Sequence, residues 1–230
     1  MGAAGLTRAA ACGLAVLSIA GCGAESKSPV KSAGAPTVSL WVSATASDYR
    51  QVAAGAKLAL AERGGRAGVF RVNYAGKQVS DDAARATADA VNNARTSLQD
   101  TQAGAVITNV GTAQAEPAIT LLNEAGISTV ALGDEALKRA ACSSSSDIYP
   151  NGHETAIVVT DAVPMSLAFR ARFLARLGFA PTDAAWSSYR GASAVLASLG
   201  SADVKTEDSP PRLDRDALAV ELVRAHGNCA

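Results

Sequence analysis

The side chains of this chain that are able to do covalent or metal chemistry are few: two histidines, His153 and His226, four cysteines, and a run of four serines from Ser143 to Ser146. With only two histidines and no closely spaced Cys, His or Glu cluster, no metal site is expected. The serine run lacks the strand, sharp turn and helix that expose a nucleophile in a G-x-S-x-G elbow, and reads as solvated loop. Neither G-x-G-x-x-G nor G-x-x-x-x-G-K-[ST] follows the first strand-like run, so no phosphate cradle is expected there. No catalytic residue, cofactor or metal is assigned, and the chain does not read as an enzyme.

Hydrogen-bonding groups without nucleophiles are arranged more suggestively. Small polar corners close three apolar runs: Ser43-Ala44-Thr45-Ala46-Ser47, Asn109-Val110-Gly111-Thr112 and Gly133-Asp134-Glu135. Each leads towards a helix-like stretch whose first amide groups lack intrahelical partners and can hold a carboxylate. Ser, Thr, Asp and Gly are also what ordinary strand-to-helix turns use. Both readings stand, and Thr45, Ser47, Gly111, Thr112, Gly133, Asp134 and Glu135 are the candidate ligand-binding residues.

Parallel βα units would bring these corners together, and the patterning supplies them. From Thr37 short β-rich runs alternate with longer helical ones. "TVSLWVS" precedes "DYRQVAAGAKLALAER", in which Val52, Ala56 and Leu60 recur at helical spacing; Asp48 suits an N-cap or first turn, and Gly64-Gly65 ends the helix. "VFRVNYA" precedes a helix opened by Asp81 and Asp82, "AGAVITNV" precedes "AEPAITLLNEAG", and "STVAL" follows. The alternation breaks at "ALKRAACSSSSDIYPNGHE", expected to be loop and junction. "TAIVVTD" is a fifth strand, followed by two helices, a Pro-containing linker near 201–212 and a last helix, "RDALAVELVRAHG". The expected fold is an α/β three-layer sandwich with a mostly parallel sheet of about five strands. Ligands of such open sheets sit beyond the carboxyl ends of the strands.

The first residues, "MGAAGLTRAAACGLAVLSIAGC", carry one positive charge at Arg8, an apolar stretch and then small residues, the pattern of an export signal. Its apolar stretch is shorter than the ~20 residues a membrane span needs. Ile19-Ala20-Gly21-Cys22 resembles the bacterial lipobox, which implies cleavage after residue 21 and acylation of Cys22. Residues 22–36 are small and polar and read as a flexible tether. The folded part is then 37–230, about 195 residues and one ordinary domain, lipid-anchored on the extracytoplasmic face of the cell membrane. Lys plus Arg and Asp plus Glu both number 21, with no basic stripe, so nucleic acid is not an expected partner. Cys142 and Cys229 remain in a compartment that permits disulfides. A bridge between them would close a loop of about ninety residues, worth ~4 kcal/mol if unstrained; two free thiols are the alternative.

Taken together, the stretch from Val38 to about Leu199 resembles the type I periplasmic binding proteins of the leucine/isoleucine/valine class, the substrate receptors of ABC importers. The resemblance lies in the order of "DYRQVAAGAKLALAE" with its central Gly-Ala, of "VGTAQAEPAITLLNEAGISTVALGD", and of "VTDAVPMSLAFRARFLARLGFAPTDAAWSSYRGASAVLASL". It implies that Thr112, beside Gly111, and then Gly133, Asp134 and Glu135 would grip an amino acid's charged groups. The two acids depart from the family's small and hydroxyl residues; they would repel a carboxylate and favour a cation. Where the family inserts a whole second α/β lobe, this chain has only the interval from Ala136 to Glu154. A flytrap closes two lobes about a hinge, so a single lobe points either to solute binding in an ABC import system or to a degenerate surface module for sensing or protein interaction. The implied partners are a small polar solute, an ABC permease, and a second copy of the chain that would restore a two-sided cleft.

Overall fold

The computed structural model describes residues 34–133, 157–160, 163–208 and 210–226. Cys22, Asp134, Glu135, Cys142 and Cys229 lie outside the described residues, as do the serine run and His153.

The sheet has six strands: β1 (Thr37–Thr45), β2 (Arg66–Ala67), β3 (Phe70–Val79), β4 (Ala103–Asn109), β5 (Ser128–Leu132) and β6 (Ile157–Thr160), in the order β2-β3-β1-β4-β5-β6. All neighbours from β3 to β6 pair parallel, and only the two-residue β2 is antiparallel. The expected five parallel strands are therefore present, with a short cap on the β3 edge that the sequence did not announce. That cap pairs part of an otherwise open edge. The central strands read as almost continuously apolar because both their faces are covered: β5 is buried at every position and β4 at all but Asn109. β3, nearer the edge, alternates buried and exposed residues at its start.

The described residues form six α-helices: α1 (Tyr49–Glu62), α2 (Ala83–Gln99), α3 (Thr112–Glu124), α4 (Leu167–Leu177), α5 (Asp183–Leu199) and α6 (Arg215–His226). On one face Val38, Leu40 and Val42 of β1 pack with Val52, Ala56 and Ala59 of α1, Val195, Leu196 and Leu199 of α5, and Leu218 and Leu222 of α6. On the other, Val106 and Ala131 of the sheet meet Ala86, Ala90 and Ala94 of α2 and Ala115, Ile119 and Leu122 of α3. The three layers of the sequence reading are thus formed, and α4 lies outside them: its Phe169 and Phe173 pack on Ala54, Leu58 and Ala185 of α1 and α5.

Local chemistry sets the ends of the elements. Asp82 caps α2 by accepting from the Ala84 amide at 2.9 Å, and Ser166 caps α4 by accepting from Phe169 N at 3.1 Å. α4 stops at Gly178 with φ 75°, in the left-handed region glycine favours. α3 begins at Thr112, three residues ahead of the stretch "AEPAITLLNEAG", with Gly111 at its N-cap. The polar linker before α6 is a built strap. Lys205 and Leu213 form an antiparallel bridge, Asp214 N donates to Val204 O at 3.0 Å, and Val204 is fully buried.

Candidate functional site

Parallel strands aim their carboxyl ends, and the loops that follow, at one edge of the sheet. The chain steps from β1 outward to β3 and then returns to the other side of β1 as β4, so successive connections diverge between β1 and β4. The crevice left at such a reversal is where open α/β sheets take ligands.

Two polar residues meet across it. Asn109, the last residue of β4, donates from Nδ2 to Asp48 Oδ2 at 3.0 Å. Asp48 holds the N-cap position of α1, yet its carboxylate makes no cap bond. The expectation that it serves as a helix cap is corrected in that respect: the side chain reaches across the reversal instead of back to its own helix. The rest of the first corner turns towards β3. Ser47 donates to Asp81 Oδ1 from its amide at 3.1 Å and from its hydroxyl at 2.8 Å, and Thr45 Oγ1 lies 3.3 Å from Ser47 Oγ. Asp81 is therefore an anchor for the loop after β1, while its neighbour Asp82 serves the α2 dipole end.

A cleft of about 470 Å³ opens beside the Asp48–Asn109 pair. Leu132 and Gly133 enter it from the end of β5, Val163 and Pro164 from the approach to α4, and Asp183, Ala184, Trp186 and Ser187 from the first turns of α5. Gly133 has φ 68°, a turn that L side chains rarely adopt. The indole of Trp186 donates from Nε1 to the Val163 carbonyl at 2.9 Å and packs at 4.8 Å on Phe169 and 5.8 Å on Tyr189, so its position is set by the aromatic cluster beneath α4.

Among the described lining residues there is no Lys, Arg, His or Cys, whereas two carboxylates, Asp48 and Asp183, are present. Such a wall favours a cation, and the apolar surfaces of Leu132, Val163, Pro164 and Trp186 suit a hydrocarbon body beside it. A larger groove, about 840 Å³, lies under the strap around Pro36, Gln102 and Arg212. It sits at the amino ends of the strands, away from the reversal, and so is the weaker candidate despite its size.

Of the residues expected from the sequence, Gly133 lines the cleft. Gly111 and Thr112 follow Asn109 at the start of α3 and are not among its lining, and Thr45 and Ser47 are turned towards Asp81. Sequence reasoning passed over Asp48 as a binding residue and missed Asp183 and Trp186. A carboxylate three residues past the first strand was a usable signal for Asp48. Nothing in the sequence marked the other two, because only the packing of α5 brings them to this edge.

No family model matches the chain, and no curated protein matches it in sequence. Solved structures do match. A protein assigned to branched-chain amino acid ABC transport from Rhodospirillum rubrum superposes with a TM-score of 0.58 at 11% identity, over 82% of this chain and 89% of that one. An ABC transporter substrate-binding protein from Desulfitobacterium hafniense, in complex with Leu, gives 0.56 at 11% identity over 82% and 88%. Another structure of an ABC transporter substrate-binding protein from Desulfitobacterium hafniense gives 0.56 at 12% identity over 82% and 89%. The fold is that of ABC substrate-binding proteins. The structural similarity is to the type I, leucine-class proteins that the sequence resembled, and at such low identity it concerns the fold alone.

Proposed function

We propose that the protein is an extracytoplasmic solute-binding lipoprotein, anchored through Cys22, that takes a small solute bearing an ammonium group into the cleft beside Asp48 and Asn109. The observation that carries this reading is the cleft itself: it lies at the strand reversal, and its described lining residues include two carboxylates, Asp48 and Asp183. Asp134 and Glu135 follow Gly133 directly in sequence and would add to the same negative character. The shared fold includes a protein solved with Leu, and an amino acid or amine carries the charge that this wall favours.

The test is a thermal shift of the purified mature chain against isoamylamine, leucine, isovaleramide and isovalerate, which share an isobutyl group and differ in charge. A ligand at a hundred times its dissociation constant raises stability by ~2.7 kcal/mol. Isoamylamine or leucine is expected to stabilise, isovalerate not to; no shift with any of the four, confirmed by calorimetric titration, would sink the reading.

A second reading follows from one observation. β5 and β6 are neighbours in one sheet, with Thr129 opposite Ile157 and Leu132 opposite Thr160, so the described residues form one lobe and offer only one wall of a flytrap. On this reading the domain senses or recruits a partner at the cell surface without feeding a permease. A solute shift that survives while a permease and ATPase are absent from the neighbouring genes would favour it.

A further inference from the structure

α4 packs by one side only. Phe169 and Phe173 are completely buried against α1 and α5, and helical spacing places Leu167, Ala168, Ala171, Leu174 and Ala175 on the opposite side. All five are exposed, Leu167 to 82% and Leu174 to 50%. Most outward helix faces are polar; this one is apolar throughout. Its charges stand at the borders and are all positive: Arg170 on one side, Arg172 on the other and Arg176 in the last turn, with no acid anywhere in the helix. Arg172 is held by Glu62 at 3.1 Å, whereas Arg170 and Arg176 are exposed.

We propose that this face is a membrane-contact surface, laid against a bilayer that contains anionic phospholipid. An apolar stripe between arginines is what an interfacial helix needs, with leucines entering the acyl boundary and guanidinium groups reaching back to phosphates. Size argues against a protein partner on this face alone. Eleven residues make a helix about 16 Å long and about 10 Å across, a face of roughly 160 Å², far short of the ~800 Å² per side of a stable protein interface. A second copy of this chain is disfavoured as well, because two-fold pairing sets one arginine border against another with no acid on the helix to offset them. A bilayer needs no such area if the protein is already held beside it. Residues 23–36 reach about 50 Å at full extension and have a root-mean-square span of about 20 Å, so a weak surface affinity acts at high effective concentration. That last step rests on the lipid anchor at Cys22; the helix face does not.

The test therefore removes the anchor. The mature chain carrying Cys22→Ser is floated with phosphatidylcholine vesicles and with vesicles containing 40% phosphatidylglycerol, at low and at high salt. Expected is binding to the anionic vesicles only, weakened at high salt, and reduced at least five-fold by Leu167→Ser with Leu174→Ser and by Arg170→Glu. Because these side chains are exposed, the variants should melt at the temperature of the Cys22→Ser parent. Absence of binding to anionic vesicles, or binding that the variants leave unchanged, overturns the proposal. So does a dimer in light scattering that the leucine variant dissolves. Failure of the anchor reading would be seen separately, as an unacylated Cys22 in the mass of the native protein.

Discussion

Gly55 of α1 and Ala185 of α5 are in backbone contact: a Cβ on Gly55 would stand 2.1 Å from the Ala185 carbonyl oxygen and 3.0 Å from the Tyr189 amide nitrogen. The same crossing is sealed by Ser188, whose buried hydroxyl donates to Val52 O at 2.7 Å. Neither neighbour of Gly55 is a flexible side-chain tip, so a methyl there must push two helices apart. Gly55→Ala is expected to cost about 3 kcal/mol or more, despite the better helix propensity of alanine. In a domain of this size that lowers the melting temperature by roughly 6–12 °C. Melting of the variant above the parent temperature would show that the helices do not approach this closely.

Asp48 offers a contrasting case, because its charge bears on the ligand more than on the fold. It is half-exposed, and the hydrogen bond its side chain accepts from Asn109 is equally available to an asparagine oxygen. Asp48→Asn should change stability by less than ~1 kcal/mol while weakening an ammonium ligand at least ten-fold by titration calorimetry. Unchanged affinity would remove Asp48 from the site; a collapsed melting point would make it a structural residue.

How far this was visible in the sequence depends on the range of the interaction. β5, Ser128–Leu132, matches the run "STVAL" residue for residue, because a doubly covered strand is uniformly apolar and its ends are set by local turns. The small-residue corners at Ser47 and Gly111 were also legible as strand ends. The partner of each corner was not. Ser47 pairs with Asp81, thirty-four positions away, and Asp48 with Asn109, sixty-one away, and no local pattern encodes which loop faces which. β2 was missed for a related reason: two residues, Arg66 and Ala67, have no periodicity to read. Nothing in the sequence set Trp186 apart, and only the packing of α5 brings it to the cleft wall.

Acid should release one tie at the opposite edge of the sheet. Burial works against ionisation of Asp100, but hydrogen bonds from Ser39, Trp41 and the Gln102 amide, together with the Arg215 charge, outweigh it and hold the carboxyl below its ordinary value. A depressed folded-state value means the tie stabilises the protein above the unfolded value, near 3.8, and is lost as pH falls through the folded one. Asp100→Asn should therefore be less stable than the parent at pH 7 by a constant margin down to about pH 5. The margin should shrink below pH 4, as followed by urea denaturation at each pH. A margin independent of pH down to pH 2 would mean that the Asp100 charge is not what the tie uses.

The last prediction concerns what holds α4, since both the cleft wall and the outer face depend on it. Two devices compete. One is polar: Glu62 accepts from Tyr189 OH at 2.6 Å and pairs with Arg172 at 3.1 Å, a network at the surface, where the exposed Arg172 side chain limits its worth to ~1 kcal/mol. The other is aromatic: Phe169 is fully buried and lies 5.5 Å from Phe173, 4.8 Å from Trp186 and 4.9 Å from Tyr189. Truncating such a ring leaves a cavity and costs about 3–5 kcal/mol. Glu62→Gln is thus expected to leave urea stability within ~1 kcal/mol of the parent, and Phe169→Ala to lower it severalfold more. Phe169→Ala should also weaken ligand binding, because Trp186 loses the ring it rests on, whereas Glu62→Gln should not. Equal losses from the two variants would place the polar network, rather than the rings, in charge of seating the helix.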